Sequence, residues 1–268
     1  MPDAVHYSGV GSKTLTNLLL NMLCRQRSGE RRVISYSLYN GHLPRYADGA
    51  RENLGLWRTY FPGWEMWVYH DETTPNELLA ELKAAGVKLI NMTASALTNA
   101  MTWRFTVASD PSVDRYVIRD IDARLNQRDK DAIDEWCASG KKFHIIRDHP
   151  AHSIFKIPGG LWGGTKEAVP NMVDLLKRNA INASYMWDMH FLAREIWGQA
   201  RLSAMQHDSF SCDRSGGRPF PTPRQYPEQH VGSVHLHAGA KERKVDSDRL
   251  IAAIRKGEQP VMCRDRGM

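Results

Sequence analysis

The sequence has no long hydrophobic run: within its 268 residues no apolar stretch approaches the roughly 20 residues of a membrane span. Cysteine is scarce. Cys24, Cys137, Cys212 and Cys263 are widely separated, and no two form a CxxC pair. That spacing suggests neither a zinc site nor a disulfide scaffold, so a reducing, cytoplasmic setting is expected. There are no internal repeats, which argues against a solenoid or propeller. Residues 15–23 have the length of a signal-peptide core. However, Thr16, Asn17 and Asn21 interrupt that segment and no small-x-small cleavage site follows, so it reads as an amphipathic helix.

What is present is a globular composition, 42% hydrophobic and 25% charged, long enough for a substantial core. The net charge of +6 favours polyanionic partners such as nucleotides, nucleic acid or anionic glycans. Strand-like and helix-like segments alternate. Strands are predicted at 33–39, 64–69, 87–91, 116–118 and 143–146, with helices at 46–60, 76–85, 96–108, 129–139, 169–178 and 184–199. This order predicts an α/β fold, a mostly parallel sheet flanked by helices. The expected organisation is an N-terminal helical extension (1–30), one sheet-bearing domain (31–238), and a C-terminal peripheral helix (247–255) with a loose tail (239–268). Residues 208–230 read as loop, and 159–164 as a glycine-rich turn.

One stretch concentrates the chemistry. The apolar run Tyr116-Val-Ile118 ends in Asp120-Ile-Asp122, bracketed by Arg119 and Arg124. Two carboxylates one residue apart at the end of a buried strand need positive charge, from arginines or from a hard divalent cation. In parallel sheets ligands bind at the carboxyl ends of the strands. His70-Asp71 and the loop after Tyr39 are therefore expected in the same cleft as Asp120 and Asp122.

The run Arg119-Asp-Ile-Asp-Ala-Arg-Leu125 resembles a group of glycosyltransferases of the GT-A fold found in large viruses, phages, microbes and metagenomes. Further matches are Arg128, Ala132-Ile-Asp-Glu-Trp136, Phe143-His144, Arg147-Asp-His-Pro-Ala-His152 and Gly159-Gly-Leu-Trp-Gly163. Upstream, Ser35 to Tyr39, Pro44-Arg-Tyr46, Gly49-Ala50, Glu52-Asn53, Pro62-Gly-Trp64 and Trp103-Arg-Phe105 fit the same pattern, which covers about residues 33–237. Two positions depart from it. Ile121 stands where Ser or Ala is usual, and Asp188-Met-His-Phe191 replaces an Asp-Gln-x-Phe pattern.

The resemblance implies a Rossmann-like GT-A sheet and transfer of a hexose or pentose from a nucleotide-diphosphate sugar, UDP-sugar foremost. It also implies Mn2+ or Mg2+ at Asp120 and Asp122, and the host cytoplasm as the setting if the chain is viral. Asp122 is expected to ligate the metal, and Asp120 to share it or bind ribose. The third ligand would come from a later segment, His207 first, then His235 or His237. Ser35, Tyr36, Leu38 and Tyr39, with Arg45, would cradle base and ribose. Arg104 would pair with a phosphate, and Trp162, between two glycine pairs, would offer its indole face to the sugar. For an inverting transfer Asp188 is the expected base, ahead of Asp148. The block Arg147 to His152 is read either as a donor or acceptor contact or as an ordered turn.

The acceptor is read either as a glycan or lipid-linked sugar, or as a hydroxymethylated base in DNA. The late basic residues Arg214, Arg218, Arg224, Lys241, Arg243 and Lys244 favour the second. A nucleotidyltransferase using the same aspartates is the alternative, weakened by the lack of a glycine-rich loop at the first strand.

Overall fold

The computed structural model describes residues 29–179, 184 and 186–266. The helix expected at 15–23 lies outside these residues. In chain order the elements are β1 (Arg32–Leu38), α1 (Pro44–Tyr60), β2 (Glu65–His70), α2 (Asn76–Ala84), β3 (Lys88–Asn91), a 3-10 helix (Ala100–Ser109), β4 (Arg115–Ile118), α3 (Gln127–Ala138) and β5 (Phe143–Arg147). A short 3-10 turn (Pro150–Ile154), β6 (Trp162–Thr165) and α4 (Met172–Arg178) follow. Helix α5 (Trp187–Phe191) runs through a π-helical turn (Leu192–Ile196) into α6 (Trp197–Ala200), and β7 (Ala204–Asp208), α7 (Cys212–Ser215), α8 (Lys244–Arg255) and a 3-10 turn (Val261–Cys263) complete the order.

The seven strands form one sheet in the order β3-β2-β1-β4-β6-β5-β7. All neighbours run parallel except β6, which is antiparallel to both β4 and β5. The expected mostly parallel sheet flanked by helices is the fold that the chain adopts. The order reverses between β1 and β4, because β2 and β3 step outward on one side and β4 returns to the other. A cleft opens at such a switch point, beyond the carboxyl ends of the strands.

Period-two alternation builds a layer on each face. Ile34, Tyr36, Leu38, Met66, Val68 and Val117 pack with α1 and α2 and with Ile133 and Trp136 of α3. Val33, Trp67, Tyr116, Ile118 and Ile145 pack on the other face with Phe105 and Phe191. Local chemistry sets the helix starts: Pro44 occupies the first turn of α1, and the Asn126 side chain caps α3 by accepting from the Asp129 amide at 2.9 Å.

Two strands differ from expectation. β6 contains Gly163 and Gly164, whose missing side chains make room for Tyr116: a Cβ on Gly163 would lie 2.5 Å from its carbonyl oxygen. β7 is polar (Ala-Met-Gln-His-Asp) yet buried over its last four residues. Neither has the apolar alternation by which strands are read from sequence.

The carboxyl-terminal segment also differs. Cys212 and Cys263 are joined in a disulfide across 51 residues, which corrects the expectation of cysteines left unpaired. The tail is not loose. Asp265 pairs with the buried Arg128 at 2.8 Å, and the Arg266 amide donates to the Phe220 carbonyl at 3.1 Å. The pairing escapes sequence analysis because the fold, not spacing, brings the end of β7 beside the tail.

Below the sheet edge lies a buried polar relay. His144 Nε2 and His207 Nδ1 are 2.8 Å apart, and His207 Nε2 lies 3.2 Å from Glu135. Arg218 and Arg266 also donate to Glu135. Burial opposes the Glu135 charge, but these donors outweigh it and hold its carboxyl down at about 2. Burial pushes the His207 imidazole down, against the pull of Glu135, so it stays neutral. Both shifts act in the same direction on stability. Below about pH 6.5 the unfolded chain takes up a proton that folded His207 refuses, and below about 4.5 the same holds for Glu135. Stability should therefore be full near neutrality, decline below about pH 6.5 and fall more steeply between about pH 4.5 and 2. Thermal melts across pH check this, and Glu135→Gln should flatten the lower limb.

Candidate active site

The sheet edge at β1 and β4 carries a cleft of about 500 Å³. Its walls include Ser37, Tyr39, Arg45, Arg104, Asp120 and Asp122, with Gly159, Gly160 and Asp188 opposite and Val234 and Arg243 from the carboxyl-terminal segment. Because β6 runs antiparallel to β4, its amino end meets β4's carboxyl end, with Ile118 opposite Trp162. That register places Gly160 against Asp120. A Cβ on Gly160 would stand 1.9 Å from an Asp120 carboxylate oxygen, and one on Gly159 would stand 2.1 Å from Asp188. Only residues without side chains let this turn approach the acids so closely.

The Asp120-Ile-Asp122 loop is held from behind by α1. Gly49 brings the helix against it, since a Cβ there would fall 2.3 Å from the Ile121 carbonyl oxygen. The buried Asn53 amide donates to the Ile121 and Ala123 carbonyls at 3.1 and 2.8 Å, and its oxygen accepts from the Leu125 amide at 3.2 Å. Ile121 itself is buried in the layer under α1. This accounts for a large apolar residue between the aspartates: it anchors the loop while both carboxylates turn to the cleft.

Arg104 crosses the floor. Its amide donates to Ser37 Oγ at 3.0 Å, and its carbonyl accepts from Ser35 Oγ at 2.7 Å, so two side chains of β1 fix its backbone. Its guanidinium, 7% exposed, pairs with Asp120 through Nη1 and reaches Asp188 through Nη2 at 3.3 Å. Its buried Nε has no partner among the described residues. Arg45, at the start of α1, pairs with Asp122 through Nε and Nη2.

These pairs set the electrostatics. Burial and the nearby Asp120 push the Asp122 carboxyl up, and Arg45 counters them. Burial likewise pushes Asp188 up, against the attraction of Arg104. Burial raises the Tyr39 hydroxyl to about 12, so it remains a neutral donor at the cleft wall. Asp120 and Asp122 supply the oxygen ligands that a hard divalent cation takes. Asp120 is the more open, its side chain 41% exposed against 7% for Asp122. Among the described residues no group of three His, Cys, Asp or Glu side chains could hold a metal ion. Any cation here would complete its shell with ligand or water oxygens.

The chain matches no family model and no curated protein. Among solved structures it is similar to a mannosyltransferase from Pyrobaculum calidifontis in complex with GDP-mannose and Mn2+, with a TM-score of 0.43 at 11% identity over 74% of this chain. It covers 63% of that protein's length. It is also similar to mouse xyloside xylosyltransferase 1, with a TM-score of 0.40 and 13% identity over 63% of this chain and 82% of that one. A third likeness is to 4-diphosphocytidyl-2C-methyl-D-erythritol synthase from Anaerococcus prevotii, with a TM-score of 0.40 and 10% identity over 62% of this chain and 84% of that one. At such TM-scores these likenesses carry no weight for function.

The structure brings Tyr39, Arg45, Arg104, Asp120, Asp122 and Asp188 into one cleft and leaves other expected residues out of it. Ser35 is buried and spent on Arg104. Tyr36 and Leu38 point into the layer under α1. Trp162 is wholly buried, edge-on to Phe105 and Tyr116, and offers no face to a sugar. His207 is buried in β7 between His144 and Glu135, so it is not a ligand in this cleft. The segment of His235 does reach the site, its amide donating to the Asp122 carbonyl at 3.0 Å. Its imidazole, however, turns away to the Ala240 carbonyl at 2.6 Å, and His237 engages the Ala238 carbonyl at 3.1 Å. Asp71 is bound to Thr73 two strands away from β4, and neither it nor His70 lines the cleft.

The block Arg147 to His152 is an ordered turn. Arg147 pairs with Asp208 at 3.3 Å, and the wholly buried Asp148 accepts from Arg128, Arg224, Ser209 and the Val231 amide. Asp148 is therefore a structural hub, which leaves Asp188 as the acid at the cleft. Ser37, Asn53 and Gly160 stand in runs that carry the sequence resemblance, but the hold of Ser37 on Arg104, the anchoring of the Asp-Ile-Asp loop by Asn53 and the approach of Gly160 to Asp120 come only from the fold. Alternation along β1 puts Ser37 on the same face as Ser35, toward the Arg104 helix.

Proposed function

We propose that this chain is a metal-dependent glycosyltransferase of GT-A type that moves a sugar from a nucleotide-diphosphate sugar, UDP-sugar foremost, to an acceptor hydroxyl. The supporting observation is the meeting of Asp120, Asp122 and Asp188 with Arg45 and Arg104 in one cleft at the β1–β4 switch point. Asp120 and Asp122 would hold Mn2+ or Mg2+, which supplies neutralisation of the departing diphosphate. Tyr39 would face base and ribose. Asp188, on the opposite wall beside Gly159, would accept the proton of the acceptor hydroxyl. Burial raises its proton affinity against the attraction of Arg104, the direction that favours a general base.

The acceptor proposed is a glycan rather than DNA. Five of the six late basic residues are paired internally: Arg214 with Asp213, Arg218 with Glu135, Arg224 with Asp148, Arg243 with Asp246 and Lys244 with Asp248. Arg224, buried against Asp148, is lost to a phosphate-tracking surface, and the other pairings offset part of the positive charge there.

A thermal-shift screen of nucleoside diphosphates with Mn2+ tests the donor reading. One diphosphate should raise Tm by several degrees with Mn2+ and much less without it, which would also name the base. No shift with any of them would sink the reading, and stabilisation by a nucleoside triphosphate alone would favour a nucleotidyltransferase.

A further inference from the structure

The arginines of the cleft stand where a cation would have to bind. Arg45 Nε and Nη2 both converge on Asp122 Oδ2. Arg104 Nη1 sits on Asp120 Oδ1, and its Nη2 is 3.3 Å from Asp188. Both carboxylates of the Asp-Ile-Asp pair are therefore neutralised internally, on oxygens that a divalent cation needs. The two arginines differ in freedom. Arg45 is 37% exposed and hangs from the first turn of α1. Arg104 is clamped by Ser35 and Ser37, and among the described residues its buried Nε has no partner. An unmade hydrogen bond on a buried guanidinium is costly, and a planar fork of this kind matches a phosphate. No third protein ligand accompanies the aspartates among the described residues.

We propose that Arg45 and Arg104 are stand-in counterions, displaced from Asp122 and Asp120 when the cation binds and handed to the two phosphates of the diphosphate. The proposal rests on the glycosyltransferase reading for the identity of that diphosphate. A cation arriving alone must break two ion pairs and face two unpaired arginines at close range. A diphosphate arriving alone meets three carboxylates. Each ligand relieves the cost met by the other, so the two bind cooperatively. Coupling of this kind is reciprocal and typically about 5- to 150-fold. Arg45, the more exposed, makes the larger movement, while Arg104 pivots on its fixed backbone. The pairing thus keeps the site closed to free cation and opens it to the cation–diphosphate pair.

The test measures binding, without turnover, on the full chain. Mn2+ affinity is read by electron paramagnetic resonance of the free ion, and labelled inorganic pyrophosphate binding by equilibrium dialysis at fixed Mn2+. The wild type should bind Mn2+ weakly alone and retain pyrophosphate at least about 10-fold better with Mn2+ than without it. Arg45→Gln should bind Mn2+ alone about 10-fold more tightly, because its counterion is gone, yet lose most of the pyrophosphate coupling. Arg45→Lys, which keeps the charge, should behave like the wild type toward Mn2+. Thermal melts check that both variants fold. Unchanged or weaker Mn2+ binding in Arg45→Gln overturns the proposal, as does pyrophosphate binding that ignores Mn2+. Coupling seen with pyrophosphate but with no nucleoside diphosphate would sustain the hand-over and sink the nucleotide-sugar reading.

Discussion

Asp122→Ala should abolish metal-dependent turnover of a nucleotide sugar, by about 1000-fold or more, while the chain remains folded. That factor corresponds to about 4 kcal/mol of transition-state stabilisation, within the range expected for losing a cation at a developing charge. The fold should survive because the loop is anchored elsewhere. Ile121 is buried, and Asn53 binds the Ile121 and Ala123 carbonyls and the Leu125 amide. The substitution also removes a carboxylate that burial and Asp120 both disfavour. Arg45, left without Asp122, is more than a third exposed and can turn to solvent. Turnover is measured as release of nucleoside diphosphate from the donor named by the thermal screen, with and without EDTA. Undiminished release in the variant, or full wild-type activity in excess EDTA, would sink the assignment.

Asp148→Ala should have the largest effect on stability. Asp148 is wholly buried and accepts two bonds from Arg128 at 2.8 and 2.9 Å, one from Arg224 at 2.7 Å, one from Ser209 at 2.7 Å and one from the Val231 amide at 2.9 Å. Arg128 is 1% exposed, with Asp265 as its other acid. Removing Asp148 leaves two buried guanidiniums with, among the described residues, only Asp265, 2.8 Å from Arg128, as their acid. Breaking a buried pair in this way costs about 3–5 kcal/mol, or roughly 10 °C in Tm for a chain of this size. Asp148→Asn, which keeps the shape and loses the charge, should fall between. A Tm within about 2 °C of wild type for Asp148→Ala would refute the hub role. In variant protein that remains folded, Mn2+-dependent diphosphate binding should persist, which separates Asp148 from Asp188.

The cleft illustrates how sequence and fold divide the information. The resemblance of Arg147-Asp-His-Pro-Ala-His152 is as specific as that of Arg119-Asp-Ile-Asp122, and from sequence both blocks are candidates for ligand contact. In the structure one faces the cleft and the other ties β5 to β7 and the tail. Both blocks set Arg beside Asp, so identity cannot separate the roles. Whether a carboxylate finds arginines in a sealed core or beside open solvent decides between them, and that depends on segments far apart in the chain. His207 shows the same rule. A histidine in a polar run reads as a ligand, yet β7 is an edge strand covered by Phe220 and by the disulfide-bound tail, which turns its polar residues inward.

By itself the sequence determined the alternating strands and helices, hence the mostly parallel sheet, and put Asp120 and Asp122 at its carboxyl edge. Those features follow from local periodicity and from the rule that parallel sheets bind ligands at one edge. Tertiary structure alone decided that β6 returns antiparallel and brings Gly159 and Gly160 onto the acids. It alone bonded Cys212 to Cys263, buried Trp162 and His207, and set Arg45 and Arg104 on the carboxylates. The physical reason is common to all of these. Each depends on which long-range partners neutralise a charge or fill a space, and pairings of that kind are fixed only when the whole sheet has closed.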